Sequence, residues 1–125
     1  MPVPSSSPPT VLCAGIAVQD IVFRVAQFPQ PGGKCMTNEF IIVSGGCAVN
    51  AAIAVARLGG RARYAGPLGD ENDNVSNLLM ADLAREGIDT SGVVRVAGAT
   101  APVSGIMVDA AGERMIVTHR DKRIE

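Results

Sequence analysis

Apolar positions along this chain fall into short runs separated by glycine, proline and acidic residues, and the period of each run predicts its element. Val11–Ile16 is apolar throughout, as expected of a buried strand. Ile21–Val25 alternates loosely after Asp20 and predicts a second, more exposed strand. Pro29, Pro31, Gly32 and Gly33 break the chain in a turn, after which Lys34–Val43 resumes extended structure, polar first and apolar later. Cys47–Leu58 carries small apolar residues at helical spacing, with Ala48, Ala51, Ala52 and Val55 expected on one face. Ala62–Ala65 follows Gly59-Gly60 as a short strand. Asp73 or Asn74 is placed to cap a second helix whose Val75, Leu78, Leu79 and Leu83 follow the helical period, and Gly87 is placed to end it. Val93–Val96 is another short strand, and Val103–Val108 and Arg114–Thr118 flank Asp109-Ala110-Ala111-Gly112 as a β-hairpin. The order β–ββ–α–β–α–β–hairpin predicts an α/β sheet with extra strands, about 20–43 and 103–118, projecting from it as a lid.

Composition narrows this picture. A chain of 125 residues holds one domain with a modest core. Apolar residues at 47% and charged residues at 18% fit a globular chain. Residues 1–10, mostly Pro and Ser, read instead as a disordered tail, which leaves 11–125 for the domain. A net charge of −1, with one Tyr, three Phe and no Trp, offers nucleic acid neither an attractive field nor a stacking surface. No apolar run approaches the length of a membrane span, and no Lys or Arg precedes Val11–Val18, so a cytoplasmic location without membrane or secretory signal is expected. Cys13, Cys35, Cys47 and the single His119 lack ligand spacing, so no metal ligands are expected and the thiols read as buried and reduced.

The densest pattern of chemistry lies between Ser44 and Gly69. Gly45 and Gly46 stand where the apolar run Phe40–Val43 hands over to the first helix, and Asn50 is that helix's polar residue among alanines. Glycines there let backbone amides approach a ligand, and an asparagine presents both a donor and an acceptor. This predicts a small-molecule cradle. A dinucleotide fold would need GxGxxG between the first strand and a helix, whereas the segment after Val11–Ile16 has Gly15 alone and runs on into extended chain.

These residues resemble the N-terminal portion of the PfkB family of carbohydrate kinases, which has the ribokinase-like fold. Gly45, Gly46, Ala48, Asn50 and Ala52 match its first motif, with Gly59 nine positions after Asn50 and Gly69 ten further on. Ala14-Gly15 with Asp20, Pro29-x-Pro-Gly, Gly69-Asp70, Gly87-Ile88-Asp89-Thr90 and Gly112-Glu113-Arg114 extend the resemblance over about residues 11–121. It implies an α/β fold, a mostly parallel sheet flanked by helices with a small projecting β lid, and transfer of the ATP γ-phosphoryl group, with Mg, to a sugar hydroxyl. By the same resemblance Asp20 grips sugar hydroxyls, Gly45 and Gly46 line the pocket with backbone, and Asn50 binds the sugar. Arg114 resembles a lid arginine that reaches ATP phosphates, although a solvated hairpin charge would look the same. His119-Arg120-Asp121 imitates a protein-kinase triplet only by coincidence.

Val18 and Cys47 stand where many ribokinases carry Asn and Lys, which points away from ribose and toward sulfofructose kinase and ketohexokinase relatives. The family's catalytic Asp, its Gly-Ala-Gly-Asp anion hole and its adenine site belong to a C-terminal half, and no Gly-Ala-Gly-Asp occurs in this sequence. No catalytic residue is therefore assigned here, and the chain alone is expected to be inactive as a kinase, since phosphoryl transfer depends on the complete constellation. The alternative reading is a non-catalytic truncated module. Its lid strands would pair in a homodimer, as lid sheets do in many family members.

Overall fold

In the computed structural model, which describes residues 7–124, the elements follow in the expected order. They are β1 (Thr10–Ala14), β2 (Val18–Arg24), β3 (Phe40–Gly45), α1 (Cys47–Arg57), β4 (Arg61–Leu68), α2 (Asn74–Arg85), β5 (Asp89–Arg95), β6 (Val103–Val108) and β7 (Arg114–His119). Of the tail expected at 1–10, residues 1–6 lie outside the described residues. Thr10 already belongs to β1, and the Pro9 carbonyl accepts from the Arg61 amide at 3.2 Å.

The strands sort into two sheets. One is parallel, in the order β1-β4-β5, and the other is mixed, in the order β3-β2-β6-β7. Helices α1 and α2 cover the face of the parallel sheet that carries Cys13, Ala62 and Tyr64. Their small residues allow this close approach: Ala48, Val49 and Ala52 of α1 are buried, and Leu79 and Leu83 of α2 complete the core. The predicted α1 face needs rotation, because Ala51 is exposed while Val49 is fully buried. Leu78 likewise points outward, and Ser76 takes the buried place. Val11 and Leu12 are exposed, contrary to a buried first strand, because β1 is an edge of its sheet among the described residues. Only Cys13 of the three unpaired thiols is buried, which corrects the expectation for Cys35 and Cys47.

Loop chemistry fixes the seams. The Asp73 carboxylate caps α2 by accepting from the Ser76 amide at 3.0 Å, and it also accepts from the Ala101 amide at 2.9 Å. Arg95 donates to the carbonyls of Gly69 and Asp70 at 2.7 Å each. The expected strand at 34–43 begins only at Phe40, since the Thr37 hydroxyl turns back to donate to the Arg24 carbonyl and accept from the Glu39 amide.

Candidate functional site

The two sheets meet at the loop between β1 and β2 and at the start of α1. Tyr64 holds that loop from below: its hydroxyl donates to the Gly15 carbonyl at 2.8 Å, and burial pushes its pKa up to about 12. Gly46 sits at φ 96°, ψ 145° as the residue before α1, and a Cβ there would run into the Ile16 carbonyl. Only glycine adopts that backbone next to that oxygen without strain. Gly45 is buried against the Asp20 carboxylate, where a Cβ would overlap Oδ2.

Asp20 lies within β2, paired with Val43 of antiparallel β3 and with Ser104 of parallel β6. Burial raises the Asp20 carboxyl above its ordinary value, and the neighbouring Ser104 side chain partly offsets this. Ser104, 5% exposed, is bonded in turn to Thr118 at 2.8 Å. Asp20 and Gly45 are thus in contact, and Gly46, next in the chain, lies against Ile16 and Ala17.

Asn50 sits one helical turn on, its amide donating to the Gly46 carbonyl at 2.9 Å. Its exposed side chain lines a crevice of about 420 Å³ shared with Ile42, Val43, Ser44 and Asp82. The Ser44 hydroxyl donates to Asp82 across this crevice at 2.5 Å, tying the end of β3 to α2.

Arg114 is not part of this group. It pairs with Val108, in the row that includes Arg24, four residues along β7 from Thr118 and hence about 13 Å from the Asp20 row by strand rise. No group of three or more acidic, histidine or cysteine side chains is arranged for a metal among the described residues. Sequence reasoning missed Ser104, Thr118 and the Ser44–Asp82 bond. A single serine inside the apolar run Val103–Val108 was the available signal.

The site thus has a half-buried carboxylate beside a Gly-Gly helix start, on a fold of α/β sheet plus projecting strands. Residues 9–123 match the pfkB family carbohydrate kinase model, and the chain belongs to that family. It is 39% identical over 97 residues to fructokinase-1 of Oryza sativa subsp. japonica, covering 69% of this chain and 29% of that protein. A crystal structure of a ribokinase candidate from Agrobacterium tumefaciens superposes with a TM-score of 0.88 at 42% identity, covering 94% of this chain and 38% of the other. Fructokinase from Xylella fastidiosa, solved with bound ATP, aligns at 34% identity and a TM-score of 0.67, covering 89% of this chain and 33% of the other. The chain spans between about a quarter and two-fifths of the relatives it matches.

Proposed function

We propose that this chain is the sugar-holding part of an ATP-dependent kinase that phosphorylates a sugar hydroxyl. The observation that carries the reading is the packing of the Asp20 carboxylate against Gly45 beside the glycine start of α1. A carboxylate there accepts from neighbouring sugar hydroxyls, while the backbone of Gly45 and Gly46 approaches the ring without side-chain obstruction. Asn50 adds a donor and an acceptor from the crevice beside it. Fructose fits better than ribose: Val18 and Cys47 replace polar ribokinase positions, and fructokinases are prominent among the relatives.

ATP and Mg are the implied co-substrates, with Arg114 as the candidate phosphate contact from the lid. It is an exposed cation without an ion-pair partner among the described residues. The 125-residue chain, in the cytoplasm as its home, binds sugar but does not turn over ATP by itself. The lid strands support homodimer formation as well, because Phe40, Ile41, Ile116 and Val117 are between 56% and 75% exposed on the mixed sheet.

Calorimetric titration of the chain with fructose and with ribose tests the assignment. Fructose should bind more tightly than ribose, and Asn50→Ala should weaken fructose at least tenfold. Equal binding of both sugars by wild type and variant would overturn it.

A further inference from the structure

Pro67 stands in β4, the middle strand of the parallel sheet among the described residues, where a proline leaves one rung of the ladder without its donor. The register identifies that rung. Cys13 pairs with Tyr64 and Ala14 with Ala65, so the next step sets Gly15 beside Gly66. In a parallel ladder a residue that donates to one neighbour of its partner accepts from the other. The Gly15 amide donates to the Ala65 carbonyl at 3.0 Å, so the Gly15 carbonyl faces position 67, and proline has no N–H to give it. The Tyr64 hydroxyl donates there instead, at 2.8 Å. Its ring leans along its own strand over Gly66, where a Cβ would collide with both the hydroxyl and the Gly15 carbonyl.

The carbonyl so held belongs to the turn that abuts the candidate site. A Cβ on Gly15 would press on the Ala48 side chain at 3.0 Å, and a Cβ on Gly46 would run into the Ile16 carbonyl. Strand β2, which carries Asp20, starts at Val18, directly after this turn. We infer that Tyr64 is a positioning residue for the site: its hydroxyl stands in for the donor that Pro67 lacks and fixes the Gly15–Ala17 turn against the glycine start of α1. This rests on the sugar reading for the turn's purpose, not for the contact. Filling the core needs the ring alone, so the work of the hydroxyl is separable from that of the ring.

Backbone amide NMR and calorimetry on the 125-residue chain test it. Tyr64→Phe keeps the ring and removes the donor. It should shift the amide resonances of Ile16 and Gly46 and weaken fructose about fivefold, the net worth of one hydrogen bond. Adding Pro67→Ala to Tyr64→Phe returns an N–H to position 67. The double variant should move the Gly46 resonance back toward wild type and restore fructose affinity to within about twofold. Ile88→Val takes a methyl group from the same core beside the opposite end of β4 and should leave Gly46 and fructose unmoved. An unmoved Gly46 resonance in Tyr64→Phe, no recovery in the double variant, or an equal shift in Ile88→Val would overturn the inference. So would a moved Gly46 resonance with the wild type's fructose affinity. If Tyr64→Phe does not fold, the double variant decides: it folds with a wild-type Gly46 resonance, or the inference falls. If the resonances move and recover as stated but the wild type binds no fructose, the positioning stands and the sugar reading falls.

Discussion

The parallel sheet and the mixed sheet treat apolar side chains in opposite ways. In the first, Tyr64, Leu68, Leu79 and Leu83 are at most 1% exposed under two helices. In the second, strand-forming residues such as Ile42 and Val117 face solvent, and the helices touch it chiefly at β2 and β3. Cohesion therefore resides in the helix-covered layer, while the mixed sheet leaves apolar side chains exposed. The candidate site lies between them, where Gly46 touches the β1–β2 loop and Gly45 touches Asp20.

Substitutions that break the seam or its anchor should cost most. Gly46→Ala forces a Cβ into a backbone carbonyl at a glycine-only conformation, with an expected loss of more than about 3 kcal/mol. Denaturant melts measure it, and a loss under about 1 kcal/mol would detach Gly46 from the seam. Asp73→Ala removes the α2 cap and leaves the Ala101 amide without its acceptor, an expected loss of about 2–4 kcal/mol. Burial alone would raise the Asp73 carboxyl, but hydrogen bonds from Ser76 and the backbone hold it below its ordinary value. Its contribution is thus present above the unfolded pKa and is lost as pH falls through the folded one. Asp73→Asn should accordingly flatten the acid side of the stability profile.

On the mixed sheet the same kind of change should do little to folding. Val117→Lys, at a residue 75% exposed, should alter stability by no more than about 0.5 kcal/mol while lowering the mass seen by light scattering if the lid strands hold a dimer. An unchanged mass would assign dimer contacts elsewhere. The smallest effect expected is at Asp20. Its folded pKa is raised by burial, so its ionised form is penalised as pH rises through that value, and the penalty is absent below the unfolded pKa. Asp20→Asn should therefore melt slightly higher than wild type at pH 7 and equally at pH 3, a difference readable by paired thermal scans.

Much of this was legible in the residues. The order of elements followed from periodicity, and the Gly87 stop, at φ 73°, and a cap at Asp73 or Asn74, which the structure gives to Asp73, followed from local chemistry. The division into two sheets was only half legible. Periodicity marks Ile21–Val25 and Val103–Val108 as strands, but the parallel pairing of β2 with β6 is a long-range choice that local pattern does not encode. The strand expected at Val93–Val96 instead runs Asp89–Arg95, because pairing with β4 outweighs the low strand propensity of aspartate. At the site, the glycine pair announced itself by spacing. Ser104 did not, since one serine in an apolar run carries no sign of what lies opposite it on two other strands.

The central claim, that the seam holds a sugar, is tested most directly by mapping backbone amide shifts of the 125-residue chain as fructose is added. The account predicts saturable shifts at Gly45, Gly46 and Asn50 and at the neighbours of Asp20, abolished in Asp20→Asn. Shifts that map to the outer end of the mixed sheet, or no shifts at saturating fructose, would contradict it.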